Sequence, residues 1–191
     1  MRLSKDLVPV VFHDDDLKRI VTREEKVAEL TAAELKQYAK APSLEDVLTS
    51  ADLQIQFNIE LKTDKAFDGT LEEKITEVVH RTRTEKRILF SSFNPLALYR
   101  LSKLLPNIPR ALLATQEKHE RNKVYLRRLW LAPFVNIHLL HLDSQFVTAE
   151  EVVKWKKRGV PVALWTVNDS TKAKEYLDAG ALSIISDELS K

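Results

Sequence analysis

The sequence predicts an α/β protein with a parallel sheet. Short apolar runs rich in valine, isoleucine and leucine alternate along the chain with longer segments of helical periodicity. Strands that alternate with helices of about ten to fifteen residues are typical of βαβ units. This alternation fits either a closed (β/α) barrel or an open, doubly wound sheet. Three pairs have the spacing of a capping box at a helix start: Thr31 with Glu34, Thr70 with Glu73, and Thr148 with Glu151.

Apolar runs and helix-start signals give the order of the elements. The first half contains predicted strands at residues 8–12, 53–61 and 88–90, helices that begin at Thr31, Pro42 and Thr70, and a helix at 96–105. The second half contains predicted strands at 110–113, 135–139, 160–167 and 182–185, and helices at 118–129, 148–158 and 170–179. Gly159 and Gly180 follow the last two helices, where a left-handed residue commonly ends a helix. No linker separates these elements, so we expect one domain over residues 1–191.

The composition excludes several kinds of site. The chain of 191 residues has 3 glycines, where average usage of roughly 7% would give about 13. A Gly-rich phosphate loop or a dinucleotide-binding fingerprint is therefore excluded. The absence of cysteine excludes disulfide scaffolds, thiolate zinc sites and cysteine nucleophiles. The net charge of +2 gives no reason to expect nucleic acid as a partner.

The distribution of apolar and basic residues bears on membranes. No apolar run approaches the roughly 18 residues of a membrane span, so we expect no stable membrane insertion. No signal-type apolar segment follows Met1, and a cytoplasmic location is the default expectation. A basic stretch from Lys118 to Arg128 lies near Tyr125 and Trp130. It is open to two interpretations, a surface that contacts phosphate groups or a solvated helix face.

The strand at residues 54–62 is the most informative segment. Side chains alternate between the two faces of a strand, so Asn58, Glu60 and Lys62 share one face. At the carboxyl end of a barrel strand, a carboxylate and an ammonium would lie where such folds build active sites. An antiparallel strand with one solvated face would show the same alternation. Periodicity leaves both interpretations open.

Other strand ends carry further candidates. His13 follows the first strand and is a candidate acid or base, or a surface residue of a polar turn. The three acids after it, Asp14 to Asp16, would bind a cation or form a solvated loop. Trp165 ends another strand and either walls a ligand pocket or packs in the core. Ser91, Ser92 and Phe93 provide either hydroxyls and an aromatic ring at a strand end, or a helix cap with a packed phenylalanine.

Taken in order, these segments resemble the glycerophosphodiester phosphodiesterase family. No single motif is specific, but the ordered set covers nearly the whole chain. The matching segments are Leu3-Ser-Lys-Asp6, Pro9-Val-Val-Phe-His13-Asp14 with Leu17 and Arg19, Leu30-Thr31 with Glu34-Leu35, Pro42-Ser-Leu-Glu-Asp-Val-Leu48, Asn58-Ile-Glu60-Leu-Lys62, Ser91-Ser-Phe-Asn94, Trp165-Thr-Val-Asn-Asp169, and Gly180 with Ile184-Ile-Ser-Asp187.

The resemblance implies a TIM-type barrel that hydrolyses glycerophosphodiesters to an alcohol and glycerol 3-phosphate. It implies that His13 is one of two acid/base histidines and that Lys62 neutralises charge on the phosphate. Glu60 would be a ligand of one divalent cation, Ca²⁺ or Mg²⁺. Asn58, Phe93 and Trp165 would contact the substrate.

The resemblance also has departures from the family pattern. Neither the family's His-Arg motif nor its Glu-x-Asp motif has a counterpart here, and Leu7 stands where the family usually has a turn glycine. We therefore expect a barrel without its first βα unit and most of its second strand, with a weak or absent cation site and open edges through which the chain could self-associate. The alternative function is a catalytically impaired remnant that binds a phosphate-bearing ligand or a protein partner. A third hypothesis, nucleic-acid binding, depends only on the basic stretch.

Overall fold

The computed structural model of the chain describes residues 1–52, 54–63, 67–118, 124, 129 and 132–188. The chain divides into two compact units, Met1–Pro109 and Arg110–Lys191. Each unit combines parallel strands with helices. The expectation of one domain over residues 1–191 stays a prediction.

The first unit contains two pairs of strands. Strands β1 (Arg2–Leu3) and β2 (Pro9–Val10) are antiparallel, whereas β3 (Phe57–Glu60) and β4 (Ile88–Ser92) are parallel. A tight turn joins β1 to β2, and Leu7 lies in it with φ 61°. That left-handed conformation explains why a glycine would suit this position.

The helices of the first unit begin largely where the sequence predicts. They are α1 (Lys18–Val21), α2 (Ala32–Ala39), α3 (Leu44–Ser50), α4 (Thr70–Thr82) and α5 (Pro95–Leu104). The capping box of Thr31 and Glu34 is confirmed. The predicted box at Thr70 is wrong, because Thr70 is already the first helical residue and its backbone N–H donates to the Asp68 side chain at 3.0 Å.

Two apolar clusters stabilise the first unit. The larger packs β3, β4 and α3–α5 around residues such as Ile75, Phe90 and Leu101, all fully buried. The smaller joins β2, α1 and α2 through Val10, Leu17 and neighbouring side chains. The segment that carries His13 therefore has its own apolar support, because burial of these side chains is the main source of its stability.

In its described residues, the second unit has four parallel strands, and a helix follows the second and the third of them. They are β5 (Arg110–Ala114), β6 (Leu139–Asp143), β7 (Val162–Trp165) and β8 (Ser183–Ile184), with α6 (Ala149–Lys157) and α7 (Ser170–Ala179). The capping box of Thr148 and Glu151 is confirmed. Gly159 and Gly180 have positive φ at the ends of these helices, as predicted.

One strand prediction in this unit is wrong. Residues 135–138 form a turn, and the strand begins only at Leu139. Asn136 has φ 49°, a left-handed value that a strand cannot contain. Of the basic helix predicted at residues 118–129, Lys118, Val124 and Leu129 are among the described residues. The rest of this predicted helix lies outside them.

The helices of the described residues have no membrane-spanning character. None combines the length and the apolar composition that crossing a bilayer requires. The cytoplasmic location stays a prediction.

Candidate active site

Glu60 and Lys62 form an ion pair at the carboxyl end of β3. The Lys62 Nζ donates to the Glu60 Oε1 at 2.8 Å. Their side chains are 28% and 18% exposed, so the pair is partly shielded from water and still reachable. The contact confirms that the two residues share a face, as strand alternation predicts. Because β3 and β4 are parallel and Glu60 lies opposite Ser91, both strands end at this edge.

The backbone of Met1 lies beside this end of β3. The Met1 nitrogen donates to the Glu60 carbonyl oxygen at 2.6 Å, and the Lys62 N–H donates to the Met1 carbonyl oxygen at 3.1 Å. These two bonds have the alternating pattern of a parallel ladder. They fix the backbone on both sides of the ion pair, and they lead directly into β1.

The segment that follows β3 is held by the turn after β4. The Ser92 hydroxyl donates to the Leu61 carbonyl oxygen at 2.8 Å, and the Asn94 side-chain amide donates to the Thr63 hydroxyl at 2.8 Å. The other end of the Asn94 amide accepts the Leu96 N–H and so caps α5. Ser92 and Asn94 therefore hold Lys62 from the neighbouring strand.

His13 belongs to a short chain of polar contacts. Its Nδ1 lies 2.7 Å from the Asp14 Oδ1, and the Arg19 Nε donates to the Asp14 Oδ2 at 2.6 Å. These two partners, the Arg19 guanidinium first, lower the pKa of Asp14 to about 2. The His13 carbonyl oxygen accepts from the Arg2 Nε at 3.1 Å. Arg2 follows Met1, so hydrogen bonds at Arg2 and Met1, joined by one peptide bond, connect the His13 backbone to the backbone of Glu60 and Lys62.

A cleft of about 270 Å³ opens beside His13. Asp14, Arg19 and Lys40 line it together with apolar groups that include Phe12 and Pro42. The His13 side chain is 72% exposed at this cleft, so solutes can reach its imidazole. Because the Asp14 carboxylate in this cleft is paired with Arg19, Lys40 is the cationic side chain there that has no ion pair among the described residues, and it can contact an anionic ligand.

Asn58 lies apart from the pair with which it shares a strand. It lines a cavity of about 480 Å³ at the amino ends of β3 and β4, with Gln56, Glu85, Lys86 and Asn107 among its neighbours. Neither Glu60 nor Lys62 lines that cavity. The substrate-binding role expected for Asn58 stays a prediction.

The two aromatic candidates lie at strand ends as the sequence indicates. Phe93 follows β4 directly and is 41% exposed. Trp165 ends β7, is partly buried, and donates from its Nε1 to the His141 carbonyl oxygen at 3.0 Å. Trp165 belongs to the second unit and the other site candidates to the first.

The described residues around Glu60 offer few of the oxygen ligands that a divalent cation needs. Ca²⁺ and Mg²⁺ take six or more oxygen ligands, usually with several carboxylates. Among the described residues, no group of three or more histidine, aspartate or glutamate side chains could hold a metal ion. The Glu60 carboxylate is instead paired with the Lys62 ammonium. The role of Glu60 as a metal ligand stays a prediction.

Comparison with known proteins identifies the family. A sequence model of the glycerophosphoryl diester phosphodiesterase family matches residues 1–191. The chain belongs to this family. Its members are phosphoric diester hydrolases, and family membership assigns this chain to that class of enzyme.

Two Bacillus proteins are similar to this family member over most of its length. The uncharacterized protein YqiK of Bacillus subtilis is 31% identical over 200 residues, which cover 98% of this chain and 80% of YqiK. A glycerophosphodiester phosphodiesterase of Bacillus altitudinis is 29% identical over 201 residues, again 98% of this chain and 80% of that protein.

Solved structures agree with the family assignment. An Oleispira antarctica phosphodiesterase in complex with its product, sn-glycerol-3-phosphate, matches with a TM-score of 0.82 and 26% identity, over 97% of this chain and 78% of that one. A glycerophosphoryl diester phosphodiesterase from Silicibacter pomeroyi matches with a TM-score of 0.81 and 23% identity, over 98% and 78%. The predicted TIM-type α/β class is thereby confirmed.

Sequence reasoning missed the residues that hold the site in place. It assigned no role to Arg19 or Asn94, and it treated Ser92 only as part of a strand end or a helix cap. A hydroxyl and an amide directly after a buried parallel strand are a usable signal, because that edge also ends the neighbouring strand. The bond from Arg19 to Asp14 has no comparable signal, since nothing in the spacing indicates it.

Proposed function

We propose that the chain hydrolyses glycerophosphodiesters to an alcohol and glycerol 3-phosphate at the carboxyl end of β3. The observation that carries the proposal is the Glu60–Lys62 pair at 2.8 Å, partly shielded and connected through Met1 and Arg2 to His13. The product bound to the Oleispira antarctica relative supports the substrate class.

Lys62 would bind the phosphodiester. Its ammonium has three donors, and the Glu60 carboxylate occupies one of them. The remaining donors can bind a non-bridging phosphoryl oxygen and stabilise the negative charge that grows there in the transition state. Glu60 holds the ammonium in position, since the side-chain entropy of a free lysine would otherwise oppose ordered binding.

His13 would exchange the proton. As the P–O bond to the alcohol breaks, the imidazolium gives a proton from its Nε2 to the leaving oxygen. A water oxygen forms the new P–O bond on the face of phosphorus opposite the leaving oxygen, and its proton passes to bulk water, so the products are the alcohol and glycerol 3-phosphate. The Nδ1 of the same ring is engaged by Asp14, which leaves the Nε2 for this transfer.

Three further residues belong to the proposal as substrate contacts. Phe93 is placed next to Ser92 and Asn94, which hold the Lys62 segment, and its exposed ring suits the apolar edge of glycerol. Trp165 presents an indole at the end of β7. Asn58, in its separate cavity, is the contact with the least support.

A divalent cation enters the proposal only as a weakly held group. The described donor set is incomplete, so no step above depends on Ca²⁺ or Mg²⁺. We expect millimolar Ca²⁺ to raise the melting temperature by less than about 1 °C, because a ligand stabilises a protein only when its concentration exceeds its Kd. A rise of several degrees that Glu60→Gln abolishes would contradict weak binding.

A direct assay tests the function. The chain is incubated with glycerophosphocholine, and glycerol 3-phosphate is measured with and without added Ca²⁺ or Mg²⁺. We expect turnover that falls by about 10²–10⁴-fold in His13→Gln. His80→Gln is the matched control, because His80 is also an exposed histidine near a carboxylate, the Glu85 Oε1 at 3.3 Å.

Two outcomes would overturn the proposal. If the wild type releases no glycerol 3-phosphate but binds glycerol 3-phosphate in calorimetry, the alternative of a non-catalytic phosphate-binding module holds instead. If His13→Gln and His80→Gln retain the same activity, His13 is not the acid.

Self-association through a sheet edge stays a prediction. The edge of β3 away from β4 meets Met1 at Glu60 and Lys62, and no other described strand pairs with it. Sedimentation velocity over a hundredfold range of protein concentration would detect a dimer, and a constant monomer value would end this hypothesis.

A further inference from the structure

Asp14 lies between two donors, and each of its carboxylate oxygens has one of them. The Oδ1 is 2.7 Å from the His13 Nδ1, and the Oδ2 accepts from the Arg19 Nε at 2.6 Å. An ionised carboxylate can only accept hydrogen bonds. Because the pKa of Asp14 is lowered to about 2, the carboxylate is ionised at neutral pH. The proton of this contact therefore belongs to the His13 Nδ1.

The carboxylate is the most shielded member of this group. The Asp14 side chain is 20% exposed, whereas those of His13 and Arg19 are 72% and 64% exposed. Two charge-assisted bonds at a shielded carboxylate are stronger than the same bonds at an open surface. The Asp14 carboxylate, whose rotation is restricted by the Arg19 contact, thus orients the exposed imidazole.

The segment around Asp14 has a fixed backbone. Leu17 is fully buried in the smaller apolar cluster, and its N–H donates to the Glu25 carbonyl oxygen at 3.1 Å. The Asp16 side chain accepts the Lys18 N–H at 3.0 Å at the start of α1. These contacts set the position of α1, which carries Arg19. The Arg19–Asp14 contact is therefore built on an ordered support.

We propose that Asp14 and Arg19 are positioning residues for His13. Asp14 keeps a proton on the His13 Nδ1 in both states of the ring: the imidazolium that donates from Nε2, and the neutral imidazole that remains with a bare Nε2. Arg19 fixes the Asp14 carboxylate by binding its other oxygen. The expected tautomer and orientation of His13 do not depend on the proposed function, whereas the expected change in kcat rests on it.

The tautomer gives the first test. Free neutral imidazole in a histidine side chain favours the proton on Nε2, so an Nδ1-protonated ring needs a partner that holds it. The ¹⁵N shifts of the two ring nitrogens distinguish the tautomers, and the loss of a signal in His13→Gln assigns it. We expect the Nδ1-protonated form in the wild type and a shift to the Nε2-protonated form in Asp14→Ala.

Asp14→Asn sharpens this expectation. Arg19 is a cation and can only donate, so it takes the amide oxygen of the new side chain. The amide NH₂ then faces the His13 Nδ1, which must become the acceptor. The wild-type tautomer should therefore be inverted in Asp14→Asn. Asp15→Asn is the matched control, because the Asp15 side chain makes no hydrogen bond or ion pair with the described residues, so this substitution should leave the His13 tautomer unchanged.

A double-mutant cycle tests the role of Arg19. If Arg19 acts on His13 only through Asp14, Arg19→Gln lowers kcat in the wild type but has no further effect in Asp14→Ala. We expect kcat to fall about 10–100-fold in Asp14→Ala and severalfold in Arg19→Gln, with KM unchanged. Arg19→Lys should restore part of the loss. Arg23→Gln, which breaks the nearby contact of Arg23 with Glu25, should keep the wild-type kcat.

The outcomes separate this proposal from the proposed function. A chain that hydrolyses no glycerophosphodiester refutes the function, and the ¹⁵N measurement still decides the positioning. An unchanged His13 tautomer in Asp14→Ala overturns the positioning role of Asp14. An equal loss of kcat from Arg19→Gln in both backgrounds, or a loss expressed in KM, shows that Arg19 contacts the substrate directly and overturns its role through Asp14.

Discussion

The two ends of the β3–β4 pair are both polar, yet they are built differently. At the carboxyl end, Lys62 is paired with Glu60, and the backbone around it is bound by Met1 and Ser92. At the amino end, Asn58 and Lys86 line a cavity of about 480 Å³ and have no side-chain hydrogen bond or ion pair to any described residue. The difference indicates that ordered charge, more than polarity, distinguishes a candidate active site from a solvated opening of the sheet.

Among the variants that compare the two ends, the largest expected effect concerns the lysine at each end. Lys62→Met removes the ammonium that stabilises the phosphoryl oxygens, so kcat for glycerophosphocholine should fall by about 10²–10³-fold. Lys86→Met removes the same charge at the amino end and should change kcat by less than about twofold. Steady-state kinetics of both variants measure the contrast. Equal losses would show that the two ends do not differ in function.

Two adjacent serines at the carboxyl end test how it is held. Ser91 and Ser92 are both buried, but the Ser92 hydroxyl bonds to Leu61 whereas the Ser91 hydroxyl has no partner among the described residues. Ser92→Ala should lower the free energy of unfolding by about 1–3 kcal/mol, because the Leu61 carbonyl loses its donor. Ser91→Ala should be neutral within about 0.5 kcal/mol. Urea denaturation measures both, and equal values would remove the anchoring role.

The pH dependence of stability tests the support of His13. The Arg19 guanidinium and the His13 ring lower the pKa of Asp14 from its ordinary 3.8 to about 2. A lowered carboxyl pKa contributes stability that is fully present above the unfolded value and is lost as the pH falls through the folded value. The wild type should therefore be more stable than Asp14→Ala at pH 6, and the difference should shrink between pH 4 and 2. A difference that grows on acidification would contradict the ion pair.

The smallest expected effect is that of Asn58. Because Asn58 lines a cavity to which Glu60 and Lys62 do not contribute, Asn58→Ala should raise KM by less than about threefold. Initial rates over a range of glycerophosphocholine concentrations measure this change. A tenfold rise would assign Asn58 to substrate binding and join the two ends into one site.

Much of the local structure followed from the sequence. Alternation along β3 placed Glu60 and Lys62 on one face, and their contact at 2.8 Å agrees. The capping boxes at Thr31 and Thr148 formed where the spacing predicted them. The strand predicted at residues 135–139 failed because Asn136 takes a left-handed turn, a preference that an apolar run does not reveal.

The sequence by itself determined the α/β class, the strand that carries Glu60 and Lys62, and the histidine at the end of an apolar run. These features depend on short-range periodicity and residue chemistry, which are readable along the chain. Only the tertiary structure decided that Ser92 holds the Lys62 segment, that Asn58 belongs to a different cavity, and that Arg19 binds the carboxylate beside His13. Each of these contacts depends on how separate segments pack together, and packing brings together groups whose spacing in sequence carries no signal.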